Sequence, residues 1–177
     1  MNLLVYDLLL SECWKQKIFP LISKDLSKIS SIRSYLTLYH EATTANLLEI
    51  ILYHRTACEN SQDSLVELID YCYRKFLSLT QWAEKRENRL FDDDPKKVLE
   101  RTPEEDLKHQ LDDIEFSCAI SCFSLIRFIS DYMHELSIPI CHQMIENNDI
   151  PCILVPLLEL KPWLRKNKKG EIEKFED

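Results

Sequence analysis

The sequence predicts an all-α fold of stacked helices, armadillo- or HEAT-like, and three observations predict it. Glycine occurs once in 177 residues, at Gly170, against an average usage of about 7%. All-β folds and phosphate-cradling loops need glycine at positive φ, whereas helices joined by Asn, Asp, Ser and Pro turns do not. Apolar residues recur at three- and four-residue steps along most of the chain, the spacing of helices with one buried face. The segment 148–162, NDIPCILVPLLELKP, is a short helix behind a polar turn. It places Ile153, Leu154, Leu157 and Leu158 on one face and has too little polar surface to stand alone. It reads as the inner helix of a repeat, in an architecture that presents surfaces to partners.

The elements follow in order. A first helix is expected over 3–15, ended by a turn at Phe19-Pro20, and 21–39 reads as a short helix, a loop and a further turn from Ser34. A helix over 40–59 buries Leu47, Leu48, Ile51, Leu52 and Cys58. After a break at 60–63, Asp63 caps a helix over 64–86 whose core face is Leu65, Leu68, Ile69, Cys72, Phe76 and Leu79. Residues 87–101, with Asp92-Asp93-Asp94-Pro95, are expected to form a mobile acidic surface loop. Thr102-Pro103-Glu104-Glu105 is a helix start: Thr102 caps, Pro103 fits the first position and Glu105 completes a capping box. That helix runs to about residue 135 with the stripe Leu107, Leu111, Ile114, Cys118, Cys122, Leu125, Ile129 and Tyr132, and is the expected central helix.

Short helices over 137–147 and 150–160 complete a unit of repeat size, about 40–47 residues. The chain thus divides into a helical domain, 1–162, and a basic, polar tail, 163–177. In the tail Ile172 and Phe175 suggest a short strand, whose partner would lie beyond Asp177, so the chain is expected to be part of a longer protein.

A net charge of −8 argues against nonspecific binding to nucleic acid or anionic membrane. Residues 1–10 lack the positive flank and cleavage site of a signal peptide. No apolar run approaches the roughly 20 residues of a membrane span. Seven cysteines at irregular spacing suit free buried thiols in a reducing cytosol.

Candidate constellations are weak. His40-Glu41 would need a histidine at position 44 to build a zinc-protease site, and that residue is Thr44. The pair reads instead as a helix start, with the carboxylate near the positive end of the dipole. Cys118 and Cys122, one turn apart, could share a metal with Cys141, His142 or His134, but no Cys-x-x-Cys knuckle is present, and they read as small buried hydrophobes. A Cys–His nucleophile has no glycine-built oxyanion loop to serve it. Asp92–Asp94 lack calcium-loop spacing. No catalytic, cofactor or metal residue is assigned. The basic cluster at 161–169 reads either as a solvated helix end or as a partner site. On the second reading Trp163, Arg165, Lys166 and Lys168 are the protein-binding candidates, since Trp and Arg are enriched at hot spots. Trp14 and Trp82 are expected to pack on the core.

Five stretches, taken together, carry a family resemblance: WKQKIFP at 14–20, YHEATTANLLEIILYH at 39–54, DYCYRK at 70–75, the helix at 116–131, and IPCILVPLLELKPWLRKNKKGEIEKFED at 150–177. Their order and spacing resemble the long helical region of the zinc-finger MYND-domain-containing protein 10 family; the acidic loop does not take part. The resemblance implies a cytoplasmic factor in preassembly of axonemal dynein arms for motile cilia, located in the cytoplasm, at centriolar satellites or at dynein assembly foci. The partners it implies are chaperones, co-chaperones and a leucine-rich-repeat assembly factor, with dynein chains as clients. The family's C-terminal MYND zinc finger is not matched, so no zinc site carries over, and no catalytic residue is implied. The expected function is a noncatalytic scaffold without cofactor. The alternatives are a helical region that only supports a separate zinc finger, and a cysteine/histidine metal-binding or hydrolytic enzyme.

Overall fold

A computed structural model describes residues 1–26, 31–87, 101–166 and 172–174. In chain order the helices are α1 (Asn2–Lys17), α2 (Phe19–Leu26), α3 (Ser31–Leu52), α4 (Arg55–Asn60), α5 (Gln62–Glu87) and α6 (Pro103–Asp131). A 3₁₀ turn (Met133–Glu135), α7 (Ile138–His142), a π turn (Gln143–Asn147) and α8 (Ile150–Leu160) follow, then strands β1 (Leu164–Lys166) and β2 (Ile172–Lys174). The molecule is a packed all-α fold with one terminal hairpin.

α6 is the central helix, packing against both α3 and α5, while α8 closes on α5 and α1 packs on α2, α3 and α5. Its start is the expected one. The Thr102 side chain accepts from the Glu105 N–H, and the Glu105 carboxylate accepts from the Thr102 N–H at 2.8 Å. The main core joins Leu48, Leu52, Leu65, Leu68, Phe76, Cys122, Leu125 and Ile129 to Ile150 and Leu157. A second, smaller cluster holds Phe19, Leu38, Ala42, Leu107, Ile114 and Cys118, with Trp14 packed against it. The predicted core face of α5 is buried throughout.

Several boundaries differ from the sequence reading. The helix expected over 40–59 begins earlier, at Ser31, and breaks at Tyr53-His54, where His54 is extended (φ −91°, ψ 117°) before α4. His40 and Glu41 therefore lie mid-helix. Asp63 is in the first turn of α5 instead of capping it, because the helix starts one residue before it. Phe19-Pro20 does not end α1 but opens α2, since proline is tolerated in a first turn. Leu47 and Leu158 face solvent, leaving Ile150 and Leu157 as the buried anchors of α8. The terminal strand finds its partner before it in sequence: Leu164 pairs with Lys174 and Lys166 with Ile172, antiparallel. The proposed acidic loop lies, but for its ends, outside the described residues.

Candidate functional site

Four helices each send one long charged side chain inward to a common point. Lys15 of α1 lies 2.6 Å from Glu41 Oε2 of α3 and also contacts Glu115 of α6. Lys75 of α5 lies 2.8 Å from Glu41 Oε1 and 2.6 Å from Glu115 Oε2. The Tyr71 hydroxyl donates to Glu41 Oε1 at 2.7 Å. Two ammonium groups and two carboxylates thus alternate in a ring of zero net charge. Glu41 is fully buried, and the side chains of both lysines are 4% exposed. Burial by itself would push Lys75 down, but the Glu115 and Glu41 carboxylates outweigh it and hold Lys75 above the usual lysine range. Burial likewise acts to raise Glu115, and Lys75 and Lys15 overcome it and hold that carboxyl low. Arg74 of α5 adds a direct link to α1, donating to Glu12 Oε2 from its Nη2 at 2.6 Å.

The Lys15–Glu41 edge of this ring forms the floor of a cleft of about 480 Å³ between α1 and α3. Its walls include Leu10, Trp14 and Leu36, and at its rim Asp7 Oδ2 lies 2.8 Å from His40 Nε2. Other apolar side chains of the same two helices are exposed: Leu3 and Tyr6 on α1, and Ile32, Tyr35 and Tyr39 on α3. The Tyr35 and Tyr39 rings stack at 5.3 Å. A smaller cleft of about 220 Å³ touches the other side of the ring, at Lys15, Lys75 and Glu115.

The residues singled out by sequence lie elsewhere. Trp163 is half-buried and meets Phe123 edge-on at 5.8 Å, so its ring packs against α6. Arg165 and Lys166 belong to β1, and Lys168 falls outside the described residues. Trp14 and Trp82 pack on the core as expected, Trp14 beside Phe19 and Trp82 beside Phe116. Cys58, Cys72, Cys118 and Cys122 are buried, but Cys13 and Cys152 are exposed, against the expectation that all seven are interior. Burial pushes the Cys58 thiol up to about 11 and the Cys118 thiol up to about 12, which leaves little thiolate at neutral pH. His134 and His142 face carboxylates, the largely buried Glu135 and the exposed Glu146, each at 3.1 Å. Among the described residues no group of three or more His, Cys, Asp or Glu side chains is placed to hold a metal ion.

No helix among the described residues is long and apolar enough to cross a membrane. Fold and site together define an all-α protein with an ionic cluster at its centre and an apolar groove beside it. Over its whole length, across 181 aligned residues, the chain is 28% identical to the zinc finger MYND domain-containing protein 10 homolog of Drosophila melanogaster. It spans 39% of that protein's length. This similarity agrees with the resemblance carried by the five sequence stretches. No family model matches the chain, and no solved structure matches it.

Proposed function

We propose that this chain is a noncatalytic, armadillo-like helical scaffold in the cytoplasmic preassembly of axonemal dynein arms for motile cilia, acting as a chaperone-associated adaptor. The observation that carries the reading is the end-to-end similarity to the MYND domain-containing protein 10 homolog. The mechanism is surface presentation. Stacked helices form a rigid face on which a client dynein chain, a chaperone or co-chaperone, or a leucine-rich-repeat assembly factor docks. The buried ionic ring supports this reading because it fixes α1, α3, α5 and α6 relative to one another, and a docking face needs that rigidity.

The test is affinity capture from ciliated-cell lysate on the purified chain, with bound proteins quantified by mass spectrometry. Dynein chains and chaperones are expected to be enriched; their absence counts against the reading. A variant reversing the charges of Arg165, Lys166 and Lys168 addresses the basic tail. If it folds normally and captures the same proteins, those residues are not the docking site.

A further inference from the structure

Helix α8 leaves one side bare and apolar, and its two ends carry opposite charges. We propose that two copies of this chain pair antiparallel along α8, about a twofold axis at Val155. The pairing does not depend on the dynein assignment.

α8 buries Ile150 and Leu157 and packs on α5 and on the π turn. Its other side carries Pro151, Val155 and Leu158, spaced i, i+4, i+7 in one stripe, with Cys152 and Glu159 along the edge, and all five are exposed. Val155 is 55% and Leu158 61% exposed. Glu159 is the one charged residue within the helix. A helix that is apolar on nearly every side belongs in an interior, and this side has no cover among the described residues.

The stripe is self-complementary. In an antiparallel pair centred on Val155, each residue meets the one equally far from Val155 on the other side, as a twofold axis requires. Leu158 then meets Cys152 of the second copy, an apolar contact. Asp149 and Lys161 flank α8, each six residues from Val155, so each Lys161 falls opposite an Asp149. Both are exposed. The Cys152 thiol bonds to Asp149, but neither Asp149 nor Lys161 has an ion-pair partner among the described residues. Packed helices lie about 8–10 Å apart, a gap that a lysine side chain spans. Glu159 comes over the first turn of the second α8, the positive end of its dipole. A parallel pair would instead set Asp149 against Asp149 and Lys161 against Lys161.

Local charge permits the contact. A net charge of −8 opposes self-association in general. Between residues 148 and 166, however, the two acids Asp149 and Glu159 stand against the three bases Lys161, Arg165 and Lys166, a net of +1. The repulsion therefore does not centre on this face. An 11-residue helix covers less than the roughly 800 Å² per partner of a standard interface. The dimer is accordingly weak, with a dissociation constant on the order of 100 μM.

Sedimentation equilibrium of the purified chain, from about 10 μM to about 1 mM, reads the association. Dimer is expected at the upper end, and a single species of 21.0 kDa throughout overturns the proposal. Val155→Asp should weaken association about tenfold with far-UV circular dichroism unchanged. Asp149→Lys and Lys161→Asp should each weaken it about tenfold alone, because each homodimer then holds two like-charged pairs. An equimolar mixture of those two variants should recover the wild-type affinity, since every pair again joins a lysine to an aspartate. Cross-linking fixes the axis. In a Cys13→Ser/Cys152→Ser background, Val155→Cys should give a disulfide-linked dimer in air, two thiols losing two protons and two electrons to dioxygen. Cys152 lies off the axis and should not cross-link in Cys13→Ser protein. A dimer insensitive to Val155→Asp, a mixture no tighter than its components, or cross-linking through Cys152 and not through the Val155→Cys variant overturns the proposal.

Discussion

Glu41 is the residue on which most depends, because its carboxylate answers two lysines and a tyrosine hydroxyl at once. Removing it leaves two buried ammonium groups sharing Glu115. Glu41→Ala should lower the free energy of unfolding by about 3–5 kcal/mol, measured by urea titration; a loss under about 1 kcal/mol would show that water reaches the lysines freely. The double variant Glu41→Leu/Lys75→Met should lose less than the single one, since it keeps the Lys15–Glu115 pair and leaves no charge unanswered. The pH dependence follows from the same ring. Lys75 is held above its unfolded value, so its contribution is complete below the unfolded lysine pKa of about 10.4 and fades only in strong alkali. Glu115 is held below its unfolded value, so its contribution is present above about pH 4.3 and is lost as pH falls through the lower folded pKa. The urea midpoint should therefore drop on acidification below that pH, and Glu115→Gln should flatten the drop. Little of this ring was legible beforehand. A carboxylate at position 41 looks like a helix-start residue when the upstream turn is not recognised, and partners on four separate helices leave no local trace. One signal was present: Lys75 sits three residues after Cys72 and beside Phe76, at a core position where a lone cation demands a buried partner.

At the scale of elements, local chemistry was readable where both partners lie within one turn. The capping box of α6 is such a case, and Thr102→Ala should cost about 1 kcal/mol, seen as a lower thermal midpoint. The join between α3 and α4 is not such a case, because nothing within a turn of His54 signals the break. The hairpin was half-readable. The pattern around Ile172 suggested a strand, but its partner Leu164–Lys166 reads locally as a basic helix end. A scarcity of glycine also has a consequence here. Lys161 ends α8 at φ 46° and ψ 60°, with its N–H bonded to the Leu157 carbonyl at 2.9 Å. A side chain with a Cβ is strained in that left-handed region, and glycine is not. Lys161→Gly should raise stability by about 1 kcal/mol, read from the same denaturation curves. A loss would mean that the lysine side chain contributes more than its backbone strain costs.

For the whole molecule, the all-α class and the central place of α6 follow from composition and periodicity, whereas the way two apolar clusters are joined does not. The ionic ring stands where they meet. Glu41 adjoins Ala42 of the smaller cluster, and Glu115 lies between Ile114 of the smaller and Phe116 of the larger. Apolar contact alone would let the Trp14 end loosen separately, since its cluster is small and its groove face is exposed. The ring counters this by making α1 and α3 answer to charges on α5 and α6. Unfolding of the native chain should therefore be a single transition. In a Trp82→Phe/Trp163→Phe background, Trp14 fluorescence reports the smaller cluster and far-UV circular dichroism reports the whole. The two curves should coincide when Glu41 is present. With Glu41→Ala added, the Trp14 curve should shift to lower urea than the dichroism curve, because local opening no longer has to break the central ring. Coincident curves in both proteins would show that the clusters are coupled by packing alone, and the ring would then be a source of specificity in helix arrangement with no part in cooperativity.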